Sequence, residues 1–514
     1  MKLRAKPFEL EAGGKPIIVL NEEDVEDLGV RSLGRVIVQY GGREITAIVN
    51  TTRKFLKPGE VGLYLEVWKF LAASEGVEVD VEASAFPKST AYIRNRLNGR
   101  RLNYDEIREI ITDMVKGNLS EVEITSFVLA LENRAIDMDE SFSLSYAMYD
   151  TGKRLELNRD IIVDKHSIGG VPGDKTTLLV VPIIAACGLT IPKSSSRAIT
   201  SATGTADRAE VLMDVSLGIE EMKRVVEKTN GCIVWGGSLN LAPADDLFIK
   251  VEYPLSIDPL LLPSIMSKKK AVGANHLVID VPTGRGTKIK TLEDANLLAN
   301  DFINLGRQLG IKTQCALTYG EQPLGYTIGS ALEAREALEV IIGKRTATDL
   351  ADKATHIAGI LLSMCGVANG RQVAMDALSS GRAEKKLREI IAEQSGNPDV
   401  TPSDIPLGEY SFDVTSNQRG LVQWIDNRQL VNIARIAGSP RDMGAGVILH
   451  KKLGDKVEQN EKLFTVYAKH ATKLQRVEKV LEEETAFAVG EKMEMLLGEV
   501  VEAPIHEKAF ILER

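Results

Sequence analysis

From Ile161 to Leu317 short apolar runs alternate with helix-periodic stretches, and that alternation leaves little choice of architecture. Ile161-Ile162-Val163 predicts a strand, Asp174 to Cys187 a helix kinked at Pro182 and closed by Gly188, and a second strand leads into Lys193. A helix from Ile219 ends at Asn230-Gly231, and Cys232-Ile233-Val234-Trp235 and Leu277-Val278-Ile279-Asp280-Val281 read as strands. Thr291 caps a helix through Leu309, and Thr313 to Leu317 is a further strand. Repeated strand-then-helix units bury their apolar faces by laying the strands parallel and the helices over both faces. Ligands of such sheets sit at the carboxyl ends of the strands.

At 514 residues the chain exceeds one compact domain. Residues 1–85 read as a β-rich unit, a small barrel or sandwich. Its runs Val36 to Val38, Ile45 to Val49 and Gly62 to Leu65 are parted by Gly41-Gly42 and Lys57-Pro58-Gly59. Residues 86–155 read as helical: Ile107, Ile110, Ile111 and Met114 recur at helical spacing. Ser120 and Glu123 form a capping box, and Asp137 or Asp139 caps a third helix. Residues of about 240–270 complete this unit. Residues 156–239 and 271–410 form the α/β domain, and residues 411–514 a β-rich C-terminal domain. The expected fold class is therefore multidomain α/β: a helical domain and a large, mostly parallel α/β domain between β-rich ends.

A net charge of −9 argues against a nucleic-acid or anionic-membrane binder, which needs a basic face, so an anionic substrate must be met by local donors. Cys187, Cys232, Cys315 and Cys365 lack metal or disulfide spacing and read as buried thiols. The six histidines form no ligand cluster. The longest apolar stretch, Leu178 to Leu189, is too short to span a membrane, and Met1 to Glu11 is charged; a cytoplasmic protein is expected.

Two segments carry chemistry. DKHSIGGVPGDKTT runs from Asp164 to Thr177, and KSSSRAITSATGTADRAE from Lys193 to Glu210. The first is a cationic, glycine-opened turn: Lys165 and Ser167 supply charge and a hydroxyl, and Gly169 and Gly170 let backbone N–H groups point into one concavity. The second offers Ser196, Arg197, Ala198, Ile199, Thr200, Ser201 and Thr205 ahead of a helix near Ala206, more hydroxyls than one helix cap requires. Together they can hold a phosphate against a sugar. Asp207 and Glu210 lie in the first turn of that helix, where the dipole alone accounts for them. His166 either assists the phosphate turn or only orders it.

These segments, with SIMSKK (Ser264 to Lys269) and EQPLGYTIGSALEAREA (Glu321 to Ala337), resemble the thymidine and pyrimidine-nucleoside phosphorylase family over residues of about 90–500. The chain departs from thymidine phosphorylases in three places. Those enzymes lack a unit like residues 1–85. They carry an aromatic in a GxGAF loop where this chain has Gly284-Arg285-Gly286-Thr287-Lys288. Their base-clamping arginine falls within Phe248 to Tyr253, where none is present.

The resemblance, with these departures, implies phosphorolysis of nucleoside 5′-monophosphates (AMP, with CMP and UMP) to free base and ribose 1,5-bisphosphate. Inorganic phosphate is the co-substrate, with no cofactor and no metal. It makes Asp258 the proton donor to the leaving base, against an ordinary Asx turn before Pro259. It assigns nucleotide binding to Ser264 and the 5′-phosphate to Lys288. Lys268, one helical turn from Ser264, is a possible base contact, although Lys268-Lys269-Lys270 otherwise reads as a solvated charge run. Partners are the small substrates and further copies of the chain, as a homodimer or larger. The alternatives are a nucleoside-specific phosphorylase, a magnesium-dependent anthranilate-type phosphoribosyltransferase, or a non-catalytic assembly protein.

Overall fold

The computed structural model describes residues 1–198, 201–345 and 348–490. The chain opens with strands β1 (Lys2–Pro7) and β2 (Ile17–Asn21), helix α1 (Glu22–Asp27), β3 (Arg35–Tyr40), β4 (Arg43–Thr52), β5 (Glu60–Leu63), α2 (Leu65–Leu71) and β6 (Glu78–Ala83). The strands close into a barrel in the order β1-β5-β2-β4-β3-β6, which decides between barrel and sandwich and leaves no free sheet edge. Alternate residues point inward, Val36 and Val38 meeting Ala47, Val49, Val79 and Val81. Ion pairs of Arg35 with Glu123 and Lys15 with Glu121 tie the barrel to the helices that follow.

Those helices are α3 (Lys88–Leu97), α4 (Tyr104–Val115), α5 (Glu121–Asn133) and α6 (Met138–Asp150). Asn103 with Glu106 and Ser120 with Glu123 form capping boxes, and Asp137 caps α6 by accepting from Glu140 N. The apolar stripe Ile107, Ile110, Ile111 and Met114 packs on Phe127, Val128 and Leu131.

The α/β region comprises β7 (Val163–Ser167), α7 (Thr177–Ala186), β8 (Ile191–Ser195), α8 (Thr205–Glu210), α9 (Ile219–Thr229), β9 (Gly231–Trp235), α10 (Gly236–Leu239), α11 (Pro243–Leu255), α12 (Leu261–Ala271), β10 (His276–Thr283), α13 (Leu292–Leu309) and β11 (Lys312–Tyr319). Strands β11-β10-β7 and β8-β9 pair in parallel, and the parallel bridge between Ile162 and Thr190 joins the two sets. Helix α11 leaves the sheet to set Phe248 against Phe127 of the bundle, their ring centroids 6.2 Å apart.

Two boundaries differ from expectation. The first strand starts at Val163, so the motif Asp164 to Ser167 is itself strand, with Ile161 partly exposed ahead of it. Helix α7 starts at Thr177 because Asp174 accepts from Thr176 N at 3.1 Å and holds the preceding residues in a turn. Thr177 to Ala185 of α7 are all buried, so Pro182 sits in the core.

Beyond the sheet come β12 (Thr327–Ile328), α14 (Ser330–Ile341), α15 (Thr348–Met364), α16 (Gly370–Ser379) and α17 (Arg382–Glu393), the last three closing over α7. The C-terminal unit holds β13 (Tyr410–Thr415), β14 (Gly420–Ile425), α18 (Asn427–Ala437), β15 (Gly446–Leu449), β16 (Lys456–Val457), β17 (Lys462–Ala468), α19 (Ala471–Glu483) and β18 (Phe487–Gly490). Its sheets run β12-β15-β17-β13 and β16-β14-β18. The unit mixes strand and helix: Leu430, Ile433, Ala434 and Ala437 repeat at helical spacing and cover the strands. Among the described residues, no helix is long and apolar enough to cross a membrane. Cys232 is buried, and Cys187, Cys315 and Cys365 are half-buried free thiols.

Candidate active site

Three loops leave the carboxyl ends of parallel strands β7, β8 and β10, and the last of them meets one turn of the helical unit. The loop after β7 carries Gly169 (φ +84°) and Gly170 (φ +95°), a region where L side chains are strained. A Cβ on Gly170 would stand 2.9 Å from the backbone nitrogen of Lys288, so this glycine lets the loop after β10 lie directly against the turn. Ser167 is half-buried and accepts from Gly169 N at 3.4 Å. Lys165 lies deeper than expected: it is buried and donates to Thr176 Oγ1 at 2.7 Å. Burial pulls its pKa down, with the carboxylates of Asp174 and Asp280 opposing.

His166 is also half-buried. Burial first, then the positive charges of Lys269, Lys193, Lys268 and Lys165, hold it well below the usual histidine range. It is a neutral imidazole at neutral pH, able to hydrogen-bond but not to act as a cation.

In the loop after β8, Arg197 is already engaged. Its guanidinium donates to both Glu210 oxygens at 2.6 Å and to Asp207 at 3.2 Å, and lies 4.9 Å from the Trp235 ring centroid. Asp207 also accepts from Ala198 N at 2.7 Å and Gly204 N at 2.8 Å. Asp207 is thus a brace for this loop, a larger part than its place on a six-residue helix suggested. Ser196 O accepts from Ala206 N at 3.1 Å, Ser201 Oγ donates to Thr203 O at 2.9 Å, and Thr205 opens α8. Ile199 and Thr200 lie outside the described residues.

The loop after β10 presents Lys288, whose Nζ lies 2.9 Å from Asp258 Oδ2. Asp258 sits in the turn between α11 and α12, so the expected acid and the expected phosphate lysine face each other between two structural units. Ser264 and Lys268 share one face of α12, with Nζ 3.5 Å from Oγ. Lys268 also pairs with the buried Asp245.

The solvated reading of Lys268-Lys269-Lys270 is overturned. Lys269 is buried and bonds Asp164 at 2.6 Å, and Lys270 donates to Leu309 O at 3.0 Å. Helix α12 is wedged between α6 and α13, so consecutive positions meet protein on every side.

Sequence reasoning missed the supports of this site. Asp280, fully buried, bonds Lys353 at 2.8 Å and accepts from Thr318 at 2.6 Å; Lys353 bonds Asp174 at 3.2 Å. A lone acid inside the apolar run Leu277 to Val281 was the available signal. Glu252 had none: it is buried one turn from the end of α11, with Oε1 unpartnered among the described residues. Burial, then the charges of Asp258 and Asp245, push its pKa up to about 8.

A carboxyl raised from 4.5 to about 8 stabilises the fold fully below pH 4.5, and that contribution is lost as pH rises through 8. The Glu252→Gln protein should therefore match wild type near pH 5. Near pH 9 it should exceed wild type by on the order of 2 kcal/mol or more in denaturant unfolding. Parallel pH profiles for the two proteins would refute this.

Family comparisons agree with the order of these units. The helical bundle domain of the glycosyl transferase family matches residues 90–152, its a/b domain residues 159–384, and the pyrimidine nucleoside phosphorylase C-terminal domain residues 421–488. A solved anthranilate phosphoribosyltransferase from Thermus thermophilus superposes with a TM-score of 0.51 at 19% identity, covering 59% of this chain and 99% of that one. That likeness carries the fold alone. Fold and loops thus define a glycosyltransferase of the pyrimidine nucleoside phosphorylase type.

Full-length relatives narrow the class. AMP phosphorylase of Thermofilum pendens is 50% identical over 100% of both chains, and AMP phosphorylase 1 of Archaeoglobus fulgidus is 48% identical over 94% of this chain and 96% of its own. The chain belongs to the AMP phosphorylase family.

Proposed function

We propose that this protein cleaves AMP, and with it CMP and UMP, by phosphorolysis to the free base and ribose 1,5-bisphosphate. The observation that carries the reading is the meeting of Lys288 and Asp258, at 2.9 Å, over the glycine turn of the β7 loop. A cation for a 5′-phosphate, a carboxyl for the base and an anion-binding turn then surround one sugar.

Inorganic phosphate sits at Ser167, Gly169 and Lys165, under C1′. The nucleotide lies along Gly170, the loop of residues 196–201, Thr205 and Ser264. As the C1′–N bond lengthens, its electron pair goes to the base, which takes a proton from Asp258. A phosphate oxygen then bonds to C1′. Positioning and fixed charge supply most of the acceleration, and no cofactor or metal is required. The enzyme works in the cytoplasm as a homodimer or larger assembly.

Phosphate-dependent release of base, with AMP beside adenosine and CMP beside thymidine, tests the reading. Release from the monophosphates and hardly from the nucleosides is expected. Efficient release from thymidine with none from AMP would return the chain to nucleoside phosphorolysis.

A further inference from the structure

The pair formed by Asp258 and Lys288 has a consequence for selectivity. Among the described residues, neither side chain has another hydrogen-bond or ion-pair partner. Both are accessible, at 42% for Lys288 and 44% for Asp258, so a substrate entering between them can separate them. Their backbones are held. Gly170 packs against the Lys288 nitrogen, and Thr287 Oγ1 donates to Gly284 O at 2.8 Å, fixing the lysine's loop on the α/β region. Ile257 N donates to Glu252 O at 3.2 Å and Leu260 is buried in the bundle core, fixing the turn of Asp258 on the helical unit. Only the side chains are left to move.

Resting on the reading above, we infer that this ion pair is a latch opened by the substrate's own 5′-phosphate. While Oδ2 accepts the ammonium N–H, Asp258 serves as an acceptor, and it must give up this partner before it can donate to a base. A phosphate monoester carries about −1.5 to −2 charges at pH 7 and competes for the same ammonium. An exposed ion pair is weak, so a dianion displaces the carboxylate readily. A nucleoside brings no such competitor. Lys288 then stays on Asp258, and the nucleoside is rejected in the chemical step as well as in binding. One lysine both grips the nucleotide and releases the acid.

The deciding experiment is adenosine phosphorolysis at saturating adenosine and phosphate by wild type, Lys288→Met and Lys288→Gln. A lysine that only grips phosphate has no effect on adenosine turnover. A latch predicts that both variants raise kcat for adenosine about two- to fivefold, the factor corresponding to an exposed ion pair, while kcat/KM for AMP falls. Combining Lys288→Met with Asp258→Asn should abolish the gain. An adenosine kcat that is unchanged or lower in both variants overturns the latch, as does a gain that survives in the double variant. Failure of the underlying reading would look different, because wild type would then release no base from AMP.

Discussion

Replacing Asp258 with asparagine is expected to slow AMP phosphorolysis about a hundredfold to ten-thousandfold, the usual contribution of a positioned general acid, with the loss in kcat. Asparagine preserves size and hydrogen bonding but supplies no proton. On the proposed reading Asp258 protonates the departing base; it lies in a turn anchored on the helical unit and meets Lys288 of the β10 loop at 2.9 Å. A nucleotide of an N7-methylated purine separates proton transfer from positioning, because its base departs without a proton. The Asp258→Asn enzyme should recover most of its loss on that substrate. An equal loss on both substrates would make Asp258 a positioning residue.

The largest stability effect is expected away from the reacting atoms, at Lys175. This fully buried lysine bonds Glu336 at 2.7 Å and donates to Leu324 O at 2.8 Å and Thr327 O at 3.3 Å. Glu336 in turn accepts from Tyr326 N at 2.9 Å and Thr327 Oγ1 at 2.6 Å. Burial would raise its pKa, but the Lys175 ammonium and the Thr327 hydroxyl outweigh that and hold it at about 2. Lys175→Met leaves that carboxylate buried with only the more distant guanidinium of Arg345, at 3.5 Å, to offset its charge, at a cost of about 3–5 kcal/mol. The deficit should shrink as pH is lowered, because a Glu336 without its lysine takes up a proton more easily. The double variant Lys175→Met/Glu336→Leu should regain much of the loss in thermal unfolding. No recovery would mean that the backbone contacts of Lys175, not its charge, secure the loop.

Much of the fold was legible because its signals are local. Strand periodicity, the capping pairs at Ser120 and Thr291, and the left-handed Asn230 that closes α9 are set by neighbours within a few residues. The C-terminal helix α18 was not legible because its apolar positions, Leu430 to Ala437, stand between short apolar runs and polar turns that read as strand. At the site, residue types and loop positions were legible, but the partners were not. Arg197 promised a free guanidinium and is held by Glu210, and Lys269 promised solvent and is buried on Asp164. Both partners lie where sequence spacing gives no cue, Asp164 being 105 residues away.

By itself the sequence determined the order of the units, the parallel sheet and the glycine turns, since backbone preference and apolar periodicity act over short range. Tertiary structure alone decided which charges meet. The pairing of Asp258 with Lys288, the burial of the Glu252 carboxyl and the bond from Lys175 to Glu336 each join residues from separate elements or depend on what encloses them. The energy of a buried charge is set by whatever the fold brings within a few ångströms of it, and no local pattern records that distance.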